Sequence, residues 1–240
     1  MTYYFLIPVF NESLNLATLA ENIIPLYPNH HKFYIFVDDG STDQTIPLLH
    51  SLFAGGNVKV IEKEANIGPG DSFNRGFEWI LDHSNDDEDI IITMEGDNTS
   101  DISILPHMIK ISEMGYDLVL ASAYAQGGGF EKTSLIRKII SFFANMLFRA
   151  FFNIKVLTLS SFYRVYKITL IKSIKIEYNS IIREKGFICM LEILIKAIHV
   201  HAKIIEVPMM LKSDQRKGKS KMKIITNTLS YLRFLLSFKA

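Results

Sequence analysis

Cysteine is almost absent from this chain, and the lack excludes a structural role for it. One residue, Cys189, among 240 permits no internal disulfide, which fits a reducing compartment. Its neighbours Phe187, Ile188, Met190 and Leu191 mark it as a buried, inert thiol. Long apolar runs are also missing: none reaches the roughly 18 residues that a membrane-spanning helix needs. The opening apolar run, Tyr3 to Phe10, lacks a basic leader and is broken by Pro8, so no signal peptide is expected. Charge of one sign is not in excess, since the formal net charge is +1, and nothing draws the whole chain toward nucleic acid. The histidines lack zinc spacing, because His30 and His31 are adjacent and His199 and His201 alternate as in a strand. No Gly-x-Ser-x-Gly nucleophile turn exists. Gly218-Lys219-Ser220 resembles the end of a phosphate-binding loop, but Ser213 stands where its first glycine belongs. No segment repeats, so neither a repeat nor a seven-strand architecture is expected.

What the chain does have is alternation. Short apolar runs at Tyr3–Val9, Phe33–Val37, Val58–Ile61, Ile90–Met94, Asp117–Ser122 and Lys203–Val207 read as buried strands. Between the first five lie amphipathic helical patterns, carried by Leu16, Leu19, Ile23 and Ile24; by Leu48, Leu49 and Leu52; by Phe73, Phe77, Ile80 and Leu81; and by Ile104, Met108 and Ile111. Asn11-Glu12-Ser13 is expected to cap the first of these helices, and Gly68-Pro69-Gly70 to open the third. Ser160–Tyr166 reads as a further strand entering a helix. Uniformly apolar strands alternating with helices predict an α/β fold with a mostly parallel sheet covered on both faces.

In such sheets ligands bind beyond the carboxyl ends of the strands. Three of the expected strand ends carry polar or acidic groups: Phe10-Asn11-Glu12, Asp38-Asp39, and Glu95-Gly96-Asp97. Carboxylates ending an apolar run suit a hard divalent cation. For the last cluster the alternative is a helix cap, with Asp97 or Ser100 capping a helix that begins near Asp101; the convergence of three strand ends favours a site.

The segment Leu135 to Phe152 reads as an amphipathic helix on which Arg137, Ser141, Asn145 and Arg149 form one polar line every four residues. Its remaining surface is more apolar than one core contact requires, which fits either a deeply buried helix or one lying at a membrane surface; the cost of burying two arginines favours the membrane surface. From Lys212 onward Lys212, Arg216, Lys217, Lys219, Lys221, Lys223, Arg233 and Lys239 face the single acid Asp214, a tail suited to a polyanionic ligand or an anionic membrane. The last helix, through Ile224, Ile225, Leu229, Leu232, Leu235 and Leu236, is a second membrane-surface candidate. Phe187 to Ile198 reads as a helix whose Glu192 and Lys196, one turn apart, would pair on its surface.

Pro8-x-x-Asn11-Glu12, Val37-Asp38-Asp39-Gly40-Ser41-x-Asp43, Asn66-x-Gly68-x-Gly70, Glu95-Gly96-Asp97 and Arg216-x-Gly218-x-Ser220-Lys221 occur in the order seen in family 2 glycosyltransferases. Within that family the chain most resembles the polyprenyl-phosphate (dolichyl-phosphate) mannosyltransferase-like branch. The resemblance implies a GT-A fold, a nucleotide-diphosphate sugar donor, Mg²⁺ or Mn²⁺, and inversion at the anomeric carbon. It implies nucleotide-sugar contacts from Pro8, Phe10, Glu12, Val37, Asp38, Asp39 and Gly96, and metal ligation by Glu95 and Asp97 with Thr99 as a third polar contact. Arg137 and Ser141 match positions that hold the acceptor phosphate, and Arg216 and Lys221 match the basic loop closing over the diphosphate. Glu95 replaces the family's usual first Asp, Ala123 a common Arg, and Thr158 a common Asp.

The expected organisation is a catalytic domain over residues 1–211, including the amphipathic helix at about 134–153, and a donor-closing loop with a terminal amphipathic helix over 212–240. The expected activity is a hexosyl transfer from a nucleotide sugar to a polyprenyl-phosphate lipid at the cytoplasmic face of a membrane, in cell-envelope glycan synthesis, with no nucleic-acid partner. The catalytic groups would be Asp97 and, where the acceptor is a sugar hydroxyl in a surface polysaccharide, Glu192 as general base. The rivals are a nucleotidyltransferase on a related sheet and a non-catalytic nucleotide-sugar-binding homologue.

Overall fold

The computed structural model of the chain describes residues 1–132, 135–218 and Phe234, with the side chains of residues 135–141 and 144 outside the description. Lys221 and the expected terminal helix at 224–236, Phe234 apart, lie outside the described residues.

Strand β1 (Thr2–Val9) shows how the layers form. Its residues alternate between two cores: Tyr3, Phe5, Ile7 and Val9 face one, Tyr4 and Leu6 the other. A strand with two buried faces belongs in the middle of a sheet. There it lies, flanked by β2 (His31–Asp38) and β4 (Ile90–Thr93), both parallel to it. With β3 (Val58–Glu62), β5 (Leu118–Ser122), β7 (Arg164–Lys167) and β8 (Ile204–Pro208), the sheet has seven strands in the order β3-β2-β1-β4-β7-β5-β8. Only β7 runs against its neighbours. The absence of repeats therefore excluded a repeat protein correctly but said nothing about strand number. A second, two-stranded sheet pairs β6 (Gly129–Glu131) with β9 (Met210–Lys212) in parallel. The boundary expected at 211/212 falls inside β9.

On one face pack α1 (Leu16–Ile23), α2 (Thr45–Leu52) and α4 (Leu105–Glu113), which contribute Leu16, Leu19, Ile23, Leu49, Leu105 and Met108 to the core. On the other lie α3 (Pro69–His83), α6 (Ile168–Tyr178) and α7 (Cys189–His199), with Phe73, Phe77, Ile80, Ile171, Ile174 and Leu191. The first cap expected differs: α1 is preceded by Asn15, with no side-chain cap bond. Burial pushes the Cys189 thiol far above its usual value, in keeping with an inert group.

Helix α5 (Leu135–Phe152) is placed the other way round from a core helix. Asn145 and Phe148 are buried, while Phe142, Phe143, Met146, Leu147 and Phe151 point outward, Phe151 with 62% of its surface exposed. Phe152 and Phe234 meet at 6.1 Å between ring centres, which brings one residue of the C-terminal segment onto the end of α5. No helix among the described residues is long and apolar enough to cross a membrane.

The start of α3 is fixed by a close approach. Gly70 donates its amide to the Lys185 carbonyl at 2.8 Å, and a Cβ at Gly70 would overlap the Glu184 carbonyl oxygen and crowd Cys189. Gly70→Ala is therefore expected to cost about 1–3 kcal/mol by overpacking, lowering the melting midpoint by roughly 2–12 °C for a domain of this size. Differential scanning calorimetry checks it; an unchanged midpoint would mean that the 183–186 segment yields freely.

Candidate active site

The order β2-β1-β4 puts three carboxyl ends side by side, and the loops that leave them carry the polar groups picked out from sequence. After β1, buried Glu12 is tied to the start of α2: Glu12 N donates to Thr45 Oγ1 at 2.8 Å. Pro8 and Phe10 are half-buried beside it, and Val37 is fully buried within β2. After β2, Asp38 accepts from the amides of Gly40 and Ser41 through Oδ2, at 3.1 and 2.9 Å. Its Oδ1 is buried and has no hydrogen-bond partner among the described residues. Gly40 holds φ +76°, and a Cβ there would strike the backbone of Ala65, so the turn requires glycine.

Asp39 is differently used. Its Oδ1 takes Lys63 Nζ at 2.6 Å and Ile67 N at 2.8 Å, and its Oδ2 takes Gly68 N at 2.9 Å. Lys63 is itself buried and also reaches Asp71 at 2.9 Å. The Asp39 carboxylate thus pins the Asn66–Gly68 loop at the edge of the crevice. Lys63 did not emerge from the sequence because only acids were sought at strand ends, although it follows β3 directly.

After β4 the chain enters a tight acidic loop. Asp97 is the centre of it. Its Oδ1 accepts from Thr99 N at 3.2 Å and Thr99 Oγ1 at 2.7 Å. Its Oδ2 accepts from Arg216, with Nε at 2.6 Å and Nη2 at 2.5 Å. The neighbouring Gly96 lies against Val9 and the Pro8 carbonyl, where a Cβ would be cramped. Glu95 turns the other way: Ser100 Oγ donates to one oxygen and Phe162 N to the other at 3.3 Å. Burial first, and then the charge of Asp97, push the Glu95 pKa above the usual carboxylate value. The helix cap weighed for this cluster falls elsewhere, on Asp101, whose side chain accepts from Ser103 N at 3.2 Å to open a 3-10 turn. Asp97 and Ser100 cap nothing.

The segment after β9 lies across this loop as a basic strap. Lys212 N donates to the Thr99 carbonyl at 3.0 Å, and Lys212 Nζ pairs with Asp101 at 3.1 Å. Four residues on, Arg216 grips Asp97. Arg216, expected to close over the donor diphosphate, meets Asp97 here; Lys221 lies outside the described residues.

The acids fit a divalent ion in one particular way. No group of three or more His, Cys, Asp or Glu that could hold a metal occurs among the described residues. Mg²⁺ and Mn²⁺, however, commonly take one or two carboxylates and complete their shell with substrate phosphates and water. Asp97 offers hard oxygens for that role, and an ion bound at Oδ2 would take the place that Arg216 holds there. Glu95 in this arrangement supports the loop through Ser100 and Phe162, and Thr99 holds Asp97, so neither presents a free donor atom to an ion beside Asp97.

Glu192 is placed against expectation. It does pair with Lys196, at 2.6 Å, but in the core and not on a helix surface, with both side chains 2% exposed. Its oxygens also accept from Arg183 N at 3.0 Å and Glu184 N at 2.8 Å. A carboxylate so engaged is an anchor for the 180–184 loop and a poor proton acceptor. Arg137 and Ser141 lie on α5, with side chains outside the described residues. At the positions of departure, Thr158 Oγ1 meets Ser122 Oγ at 2.6 Å and Thr158 N donates to Glu206 at 2.8 Å, while Ala123 is half-buried beside them.

Sequence reasoning also passed over Arg164, fully buried on β7 and in no ion pair among the described residues. It donates to the carbonyls of Leu159, Ser161 and Met190 at 2.8–2.9 Å, which fixes the 159–162 turn against Glu95.

Comparison with known proteins agrees with this geometry. The model of the family described as "Glycosyl transferase family 2" matches residues 4–183. The chain is 26% identical over 219 residues to polyprenol monophosphomannose synthase of Mycolicibacterium smegmatis, covering 90% of this chain and 79% of the relative. It is 30% identical over 233 residues to dolichol-phosphate mannosyltransferase of Pyrococcus furiosus, covering 96% of this chain and 61% of that longer protein. Among solved structures, glucosyl-3-phosphoglycerate synthase of Mycobacterium tuberculosis, crystallised with Mn²⁺, UDP and glucosyl-3-phosphoglycerate, superposes with a TM-score of 0.68. That likeness, at 16% identity over 98% of this chain and 77% of the other, is one of GT-A fold.

Proposed function

The chain belongs to glycosyl transferase family 2, in its polyprenyl-phosphate mannosyltransferase-like branch, and from that premise we propose that it moves a sugar from a nucleotide-diphosphate donor to a polyprenyl-phosphate-type lipid, with inversion, at a membrane surface. The observation that carries the choice of acceptor is the state of Glu192. A sugar hydroxyl would need a base to take its proton, and the candidate base is locked between Lys196 and two backbone amides. A lipid phosphate arrives already anionic and needs none. The outward apolar residues of α5, Phe142, Phe143, Met146, Leu147 and Phe151, suit a lipid surface, and the relatives named above include two that carry polyprenol or dolichol phosphate in their names.

In this reading the donor lies over the carboxyl ends of β1, β2 and β4, its nucleoside near Glu12, Asp38 and Asp39 and its diphosphate at the acidic loop. A divalent ion, Mg²⁺ or Mn²⁺, held by Asp97 would supply neutralising charge for the leaving diphosphate. Arg216 adds fixed positive charge from the strap, already aimed at the same place. The acceptor phosphate oxygen forms the new bond to the anomeric carbon as the bond to the diphosphate breaks, and the nucleoside diphosphate leaves. Arg137 and Ser141 orient the acceptor phosphate. Glu95 and Thr99 hold the loop that presents Asp97.

Purified protein, a panel of radiolabelled nucleotide sugars, polyprenyl phosphate in anionic vesicles, and Mg²⁺ or Mn²⁺ provide the test. Label should pass into the organic extract for one donor, and the protein should float with the vesicles at low salt. Label found only on soluble saccharide, with the lipid fraction empty, would overturn the lipid acceptor in favour of a surface-polysaccharide hydroxyl; binding of donor without any transfer would favour a non-catalytic homologue.

A further inference from the structure

We propose that Asn15 is the positioning residue of the basic strap: its side-chain amide grips the peptide of Lys217 and thereby sets Arg216 over the acidic loop. The inference rests on the donor reading above. Asn15 is 1% exposed and stands at the N-cap of α1. An asparagine there ordinarily accepts from an amide in the first turn, a bond worth about 1 kcal/mol. This one makes no cap bond. Its Oδ1 instead accepts from Lys217 N at 2.9 Å, and its Nδ2 donates to Lys217 O at 3.1 Å and to Glu12 Oε2 at 2.6 Å. Only one orientation of the amide satisfies all three contacts.

The same residue reaches the acidic loop. Asn98 Nδ2 donates to the Asn15 carbonyl at 2.9 Å, from a backbone held at φ +62°. Asn15 therefore joins the loop after β1, the loop after β4 and the strap. A residue held at both its N–H and its C=O has the peptide groups on either side of it fixed, here those joining Arg216 to Lys217 and Lys217 to Gly218. The strap is secured on its other side by Lys212 at Thr99 and Asp101. Arg216 lies between the two attachments, with its guanidinium 2.5 Å from Asp97. A cation presented in this way is preorganised for the phosphate nearest the acidic loop, with little freedom left to lose on binding.

The test uses the full chain carrying Asn15→Ser. Serine can still cap α1, which protects the fold, but it is too short to hold Lys217. Asn15→Ala is the second variant; it removes both bonds to Lys217 without setting a second carboxylate beside Glu12. Hydrogen exchange of the 213–218 segment is followed without nucleotide or metal, and UDP, GDP, UMP and GMP are then titrated with Mn²⁺ present. Exchange is expected to quicken about tenfold, and diphosphate affinity to fall about tenfold with monophosphate affinity unchanged. Unchanged exchange in folded variants, or equal losses for mono- and diphosphates, would overturn the proposal. A parent protein that binds no nucleoside diphosphate would overturn the donor reading itself, an outcome visible before any variant is measured.

Discussion

Asp97→Ala is expected to lower turnover about a thousandfold, equivalent to roughly 4 kcal/mol of transition-state stabilisation, while leaving the fold intact. Two features set the size of the effect. The Asp97 carboxylate meets the strap directly, through two contacts to Arg216. It is also the carboxylate proposed to hold the ion, at the carboxyl edge of the sheet where the diphosphate would lie. Removing it would take away that carboxylate and release Arg216 together. The fold should survive, since the Arg216 side chain is 24% exposed and can turn to water once its partner is gone. Steady-state rates across a Mn²⁺ titration, with melting curves alongside, check the prediction. A fully active Asp97→Ala protein would remove Asp97 from the chemistry.

The contrast between Asp97 and Glu95 shows how far the sequence was legible. Two carboxylates one residue apart after an apolar run correctly marked a loop at the carboxyl edge of the sheet, because burial is written in the polarity of the residues and strand–helix alternation implies parallel strands. Which way each side chain turns is not written there: Glu95 finds Ser100 and Phe162 only once β7 has brought the 159–162 turn alongside. The strands themselves were visible as apolar runs, yet the reversal of β7 was not, since a buried strand has the same composition in either direction. The pairing of β6 with β9 involves three-residue strands some eighty positions apart, too short to carry a periodic signal. Asn15 was invisible for a related reason: its decisive partner, Lys217, is 202 residues away, and its local context announces only a helix cap. For α7 the signal existed and was underread. A helix whose residues from Cys189 to Ala197 are apolar on every side except for Glu192 and Lys196 calls for full burial, and a charged pair inside such a helix must be compensated internally.

That compensation defines the second large effect. Glu192→Gln is expected to cost about 3–5 kcal/mol of stability, which for a chain of this length lowers the melting midpoint by roughly 6–20 °C. In the native protein Lys196 Nζ is neutralised by Glu192 and further satisfied by the carbonyls of Ser180 and Ile181 at 3.1 and 2.9 Å. The other donors converging on Glu192 are the amides of Arg183 and Glu184. A glutamine leaves Lys196 as an uncompensated buried charge and turns an N–H₂ group toward groups that are themselves donors. The same substitution separates anchor from base. A base would lose kcat by about a hundredfold or more with its midpoint unmoved; an anchor loses midpoint and keeps most of its kcat when assayed well below the transition. Joining Glu192→Met to Lys196→Met sharpens the distinction, because the double variant buries no lone charge and should be more stable than Glu192→Met alone. A double-mutant cycle with strictly additive losses would show that the pair is not the bond holding the 180–184 loop. Coupling would confirm the anchor, and with it the route by which α7 supports the crevice: Glu192 fixes Arg183 and Glu184, and the adjoining Lys185 carbonyl receives the amide of Gly70 at the head of α3.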